Sequence, residues 1–124
     1  DVAGWQENQD WISTGTLPMR WEFSEYIIKR HWAKNKEQFR NFIIDLVGKD
    51  EKNPKTIVNQ LKNFMFCNYD MKQEEMIDAV NVFKGDTPEN YFEDGTWTLD
   101  YESVPNQVYN LILFFLTLPE YQLK

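Results

Sequence analysis

The chain has 124 residues, of which 42% are hydrophobic and 16% aromatic, enough for one core and too few for two. Its 13 bases and 20 acids leave a net charge of −7, which argues against a surface given over to nucleic acid. One cysteine and one histidine exclude an intrachain disulfide, a cysteine-based zinc site and a multi-histidine metal site.

Residues 1–15 lack periodicity and read as an N-terminal arm, with Trp5, Trp11 and Ile12 expected to fold back on the body. The first predicted helix follows Thr16 as N-cap, with Pro18 in its first turn, and carries Trp21, Phe23, Tyr26, Ile27, Ile28 and Trp32 around much of its circumference. The second is capped by Asn35, with Gln38 as capping-box partner. It shows Phe39, Phe42, Ile43, Leu46 and Val47 on one face and stops at Gly48 in the left-handed conformation. The third starts at Asn53-Pro54 with a stripe of Ile57, Leu61, Phe64 and Met65. The fourth starts at Asp70, with Gln73 three residues on, and presents Met76, Ile77, Val80 and Phe83. Lys84 complements its dipole and Gly85 stops it.

Residues 86–104 change character. Thr87-Pro88 suits the start of one short helical turn. Asp94-Gly95 lies between Asn90-Tyr91-Phe92-Glu93 and an alternating run with Trp97, Leu99 and Tyr101 on one side. That pattern reads either as a small β-hairpin near 90–101 or as an irregular loop pinned by its aromatics. The last helix follows Ser103 or Val104, with Pro105 near its start. Val108, Leu111, Ile112 and Phe115 form one face, Tyr109, Leu113, Phe114 and Leu116 fill the rest, and Pro119 ends it. A helix apolar on nearly every side belongs at the centre of a bundle. Its longest apolar run, Leu111–Leu116, falls far short of the ~20 residues of a membrane span. The expected fold is all-α: a single domain over residues 1–124, a bundle or array of four to five helices around a mostly buried C-terminal helix.

Side-chain chemistry narrows the function. Cys67, within Phe64-Met65-Phe66-Cys67, reads as packing, and His31, beside Lys29, Arg30 and Trp32, as a surface or helix-end residue. There is no Gly-x-Ser-x-Gly elbow and no phosphate loop. The carboxylate pairs Glu22/Glu25 and Glu75/Asp78 have the spacing of a solvated helix face and lack the Glu-x-x-His partner of a di-iron site. Charge is polarised: residues 29–63 hold nine bases and four acids, whereas residues 70–102 hold ten acids and two bases. One-signed fields steer partners of the opposite sign. The basic stretch of Lys29, Arg30, Lys34, Lys36 and Arg40 reads as the polar side of two helices offsetting the acidic half.

The sequence reading is therefore a non-catalytic binding or inhibitor protein, in its narrowest version a bacterial immunity protein blocking a basic, nuclease-type toxin. Asp86, Glu89, Glu93 and Asp94 would supply the field, and Tyr91 and Trp97 the desolvated anchors. The expected partner is a basic protein; no cofactor, metal, membrane or nucleic acid is expected. A cytoplasmic location fits the lone cysteine. The alternative is a secreted or periplasmic accessory domain, trimmed of a leader before Asp1, that binds a small ligand or glycan in an aromatic cleft. A carboxylate-only enzyme and a nucleic-acid mimic are the remaining readings of so acidic a chain.

Overall fold

The computed structural model describes residues 21–66 and 69–119, with side chains from Ser24 onward. Among them it is all-helical: α1 (Trp21–Lys34), α2 (Glu37–Val47), α3 (Pro54–Met65), α4 (Gln73–Lys84), the short α5 (Glu89–Glu93) and α6 (Val104–Leu116). The arm, the Thr16 cap, Pro18, the side chains of Trp21, Glu22 and Phe23, and Cys67 lie outside the described residues.

α6 is the central post. α1, α2 and α4 all pack against it, and α3 bridges α2 and α4. Val104, Val108, Leu111, Ile112, Phe115 and Leu116 are buried, with Tyr109, Leu113 and Phe114 half-buried. α6 ends at Leu116, three residues before Pro119, where the Thr117 hydroxyl donates to the Phe114 carbonyl (2.6 Å). Rings interlock around the post. Trp32 stacks on Tyr109 at 4.3 Å, and Phe39 meets both edge-on, the offset and T-shaped arrangements that aromatic quadrupoles favour.

The helix ends follow local chemistry, with adjustments. Asn35 accepts the Glu37 N–H (3.1 Å), but Gln38 does not close a capping box. Its amide donates instead to the His31 carbonyl (3.0 Å), which also accepts the Asn35 N–H (3.0 Å) at the end of α1. Gly48 takes positive φ (+92°) with an extended ψ of 143°, and so leaves α2 without a left-handed helical residue. Asn53 caps α3 by accepting the Lys55 N–H (2.9 Å), with Pro54 at the first position.

α4 begins at Gln73, three residues after the expected Asp70 start, because Glu75 reaches back to the Lys72 N–H (3.1 Å). Glu75 also accepts the Tyr69 hydroxyl (2.6 Å). This carboxylate is thus committed to a helix start rather than paired with Asp78 for chemistry. The buried face of α4 is Ala79, Val80 and Phe83; Met76 is half-buried, and Ile77, expected inside, is 51% exposed. Lys62 is buried, and its ammonium donates to the Tyr69 carbonyl (2.8 Å), tying the connection from α3 to α4.

No hairpin forms among residues 90–101. Residues 89–93 are helical, and the Asp94 N–H continues that helix to the Asn90 carbonyl (2.9 Å). Gly95 turns the chain with φ +83°, and the Trp97 N–H returns to the Tyr91 carbonyl (3.0 Å). With the Tyr91 and Asp94 N–H groups spent in the helical turn, that of Thr96 on the Asp94 carboxylate and that of Trp97 on the Tyr91 carbonyl, this segment has no ladder to offer a second strand. The inward alternation survives without the sheet: Trp97 and Leu99 are buried and Tyr101 is half-buried.

Candidate functional site

Pro88 fixes the entry to α5, and α5 carries Glu89, Asn90 and Glu93 outward while Tyr91 and Phe92 lean on the body. Phe92 packs on Trp97 with ring centroids 5.0 Å apart, and Trp97 meets Phe83 of α4 edge-on at 5.7 Å. The Trp97 indole N–H donates to Gln107 Oε1 (3.0 Å), which also accepts the Ser103 hydroxyl (2.9 Å). Gln107 Nε2 in turn donates to the Phe83 carbonyl (2.7 Å). A second clamp comes from α2. Arg40 donates to the carbonyls of Leu99 and Tyr101, the latter at 2.9 Å, while its Nε pairs with Glu37 (2.8 Å). Residues 89–103 are thereby pinned to α2, α4 and α6 from beneath.

What this platform presents outward is carboxylate. Asp86, Glu89, Glu93, Asp94, Asp100 and Glu102 are all exposed. Asp94 accepts the Thr96 N–H (2.9 Å), and the Thr96 hydroxyl and N–H together hold its carboxyl below the usual range. Lys84 pairs with Glu89 at 2.7 Å and lies 5.5 Å over the Phe92 ring. Two grooves lie near this segment, the first lined in part by α5 and the second by the chain leading into it. One, of about 360 Å³, runs between Lys52, Pro54 and Lys55 on one side and Lys84, Glu89, Phe92 and Glu93 on the other. The other, of about 320 Å³, is bordered by Asp86, Tyr101, Glu102, Asn106 and Asn110, with Lys84 again on its edge. Each groove has a single aromatic lining residue, Phe92 or Tyr101.

The structure leaves four of the six sequence-predicted site residues exposed: Glu89, Glu93 and Asp94 on and just after α5, and Asp86 ahead of it. Tyr91 is half-buried, edge-on to Tyr101 at 6.2 Å. Trp97 has to be corrected. It is wholly buried and anchors the platform to the core, so it is no anchor for a partner. Asp100, Glu102, Asn106 and Asn110 were missed. For Asn106 and Asn110 a signal was available: they recur at the helical spacing of four on a helix otherwise polar only at Gln107, with Glu102 one step earlier in the same register just ahead of the helix.

The basic stretch is largely engaged in internal contacts. Lys29 pairs with Glu25 (3.2 Å), Arg30 donates to the Tyr26 hydroxyl (3.3 Å), and Lys36 lies 5.1 Å over Trp32. Among the described residues no group of three or more His, Cys, Asp or Glu is placed to hold a metal ion. No described helix is long and apolar enough to cross a membrane.

A model of the family described as "Protein of unknown function (DUF1800)" matches residues 1–123. The chain belongs to that family. Comparison with curated proteins and with solved structures returned no match. For this DUF1800 chain the functional reading therefore rests on the α5 platform itself, where charge is displayed and the hydrophobic side chains beneath it are tied down.

Proposed function

We propose that this chain is a non-catalytic binding domain whose acidic α5 face docks on a basic protein surface. The observation that carries the reading is the division of labour in residues 86–102: six carboxylates exposed, with Trp97 and Leu99 buried beneath them. A rigid, pre-organised display loses little conformational freedom on binding and supplies electrostatic steering. Neutralisation of a basic, nuclease-type toxin is the narrower form of the proposal, supported by small size and net negative charge.

The test compares two triple charge reversals of equal net charge. One carries Asp86→Lys, Glu89→Lys and Glu93→Lys; the other carries Asp45→Lys, Asp50→Lys and Asp78→Lys, all exposed positions elsewhere. Binding of a decalysine probe at low salt is expected to fall by at least tenfold in the first and by much less in the second. Equal losses in both would mean that the probe responds only to net charge and would overturn the proposal.

A further inference from the structure

Three lysines, Lys52, Lys55 and Lys84, line the groove that holds Glu89 and Glu93, and among the described residues Lys84 is the one of them that forms an ion pair there. Its ammonium sits 2.7 Å from Glu89 Oε2 and 5.5 Å over the Phe92 ring, and its side chain borders both grooves. The partners are unequally exposed: 21% of the Lys84 side chain is accessible, against 64% for Glu89. The lysine is therefore held from below, while the carboxylate is open to approach from solvent. No ion pair involves Asp86 or Glu93 among the described residues, so Glu89 is the one member of this face already neutralised by such a pair.

We infer that Lys84 is an internal counter-ion that a basic partner displaces from Glu89 on docking. The inference rests on the acidic-face reading above and specifies how that face is regulated. An incoming ammonium or guanidinium approaches Glu89 from its open side. The released Lys84 ammonium keeps the Phe92 ring beneath it, so the exchange strands no buried charge. Lys84 thus lowers affinity for weakly basic surfaces and raises the selectivity for partners basic enough to compete.

The test is a double-mutant cycle on the 124-residue chain, with decalysine as probe at low ionic strength. Lys84→Met, which keeps an apolar stem over Phe92, is expected to tighten binding about two- to fivefold, the range of an exposed ion pair. Lys72→Met removes the same charge away from the pair and controls for the general field; it is expected to tighten binding less. Glu89→Gln is expected to weaken binding several-fold in the Lys84→Met background and little in the presence of Lys84. Equal effects of Glu89→Gln in the two backgrounds, or equal gains from Lys84→Met and Lys72→Met, would overturn the inference while leaving the acidic face standing. Absence of decalysine binding by the unmodified chain would remove both. Lys84→Gln, read in parallel, guards against a packing effect particular to methionine.

Discussion

At the scale of single residues, Gln107 holds the acidic platform to the core. It is 4% exposed and serves the Trp97 indole, the Ser103 hydroxyl and the Phe83 carbonyl. Gln107→Leu fills similar volume but strands a buried donor and a buried acceptor, and each such group costs about 1–3 kcal/mol. A loss of about 2–4 kcal/mol in chemical denaturation is expected; a loss under 1 kcal/mol would show that the network is dispensable. His31 supplies a pH prediction. Burial first, then the charges of Lys34 and Arg30, hold its pKa below 6.5. As pH falls below 6.5 the unfolded chain therefore takes up this proton before the folded one. Stability conferred by the neutral ring is complete above that pH and declines as acidification proceeds. His31→Gln is expected to flatten the decline in melting temperature between pH 7.5 and 5.5, and a parallel decline in both proteins would contradict the assignment. Neither role was open to the sequence. A glutamine on an apolar helix and a histidine near three bases acquire meaning only from what surrounds them.

At the scale of elements, periodicity was a good guide where a helix buries one clear face. The α2 residues Phe39, Phe42 and Ile43 and the α3 residues Ile57, Leu61 and Met65 are buried as their spacing required. It was a poor guide at Ile77, because α4 turns Ala79 inward with Val80 and Phe83 and so rotates its apolar stripe away from Ile77. Asp94-Gly95 misled in a different way. An Asp-Gly pair serves a helix exit as readily as a hairpin turn, since both need positive φ at the glycine. Here Gly95 has φ +83°, and the nearest atom to a Cβ added there would be Lys52 Nζ, at 4.0 Å. Gly95→Ala is therefore a backbone probe free of steric clash, expected to cost about 1–2 kcal/mol. Asn53→Ala, which removes the cap of α3, is expected to cost about 1 kcal/mol. Thermal melts of the two variants check both. A neutral Gly95→Ala would mean that the α5 exit is not held in the described turn.

At the scale of the whole molecule, the all-α architecture and the central C-terminal helix were legible because α6 is apolar almost all round and must be surrounded. The acidic character of residues 70–102 was equally plain, but its distribution was not. Glu75 is taken up in starting α4, Glu74 and Asp78 are exposed on that helix, and the six acids between residues 86 and 102 are all exposed. On the proposed reading the platform turns a polarised sequence into a docking face, and Trp97 contributes by being hidden rather than displayed. Such a field weakens with added salt, so binding of a polycation is expected to fall steeply between low and physiological ionic strength. The most direct test of the docking face is a two-dimensional NMR titration of the isotope-labelled chain with decalysine, following backbone amides residue by residue. Shifts concentrated at residues 86–102, largest around Glu89, Glu93 and Asp94, are the expected result. Shifts spread evenly over every exposed carboxylate, or centred on Glu74 and Asp78, would contradict it.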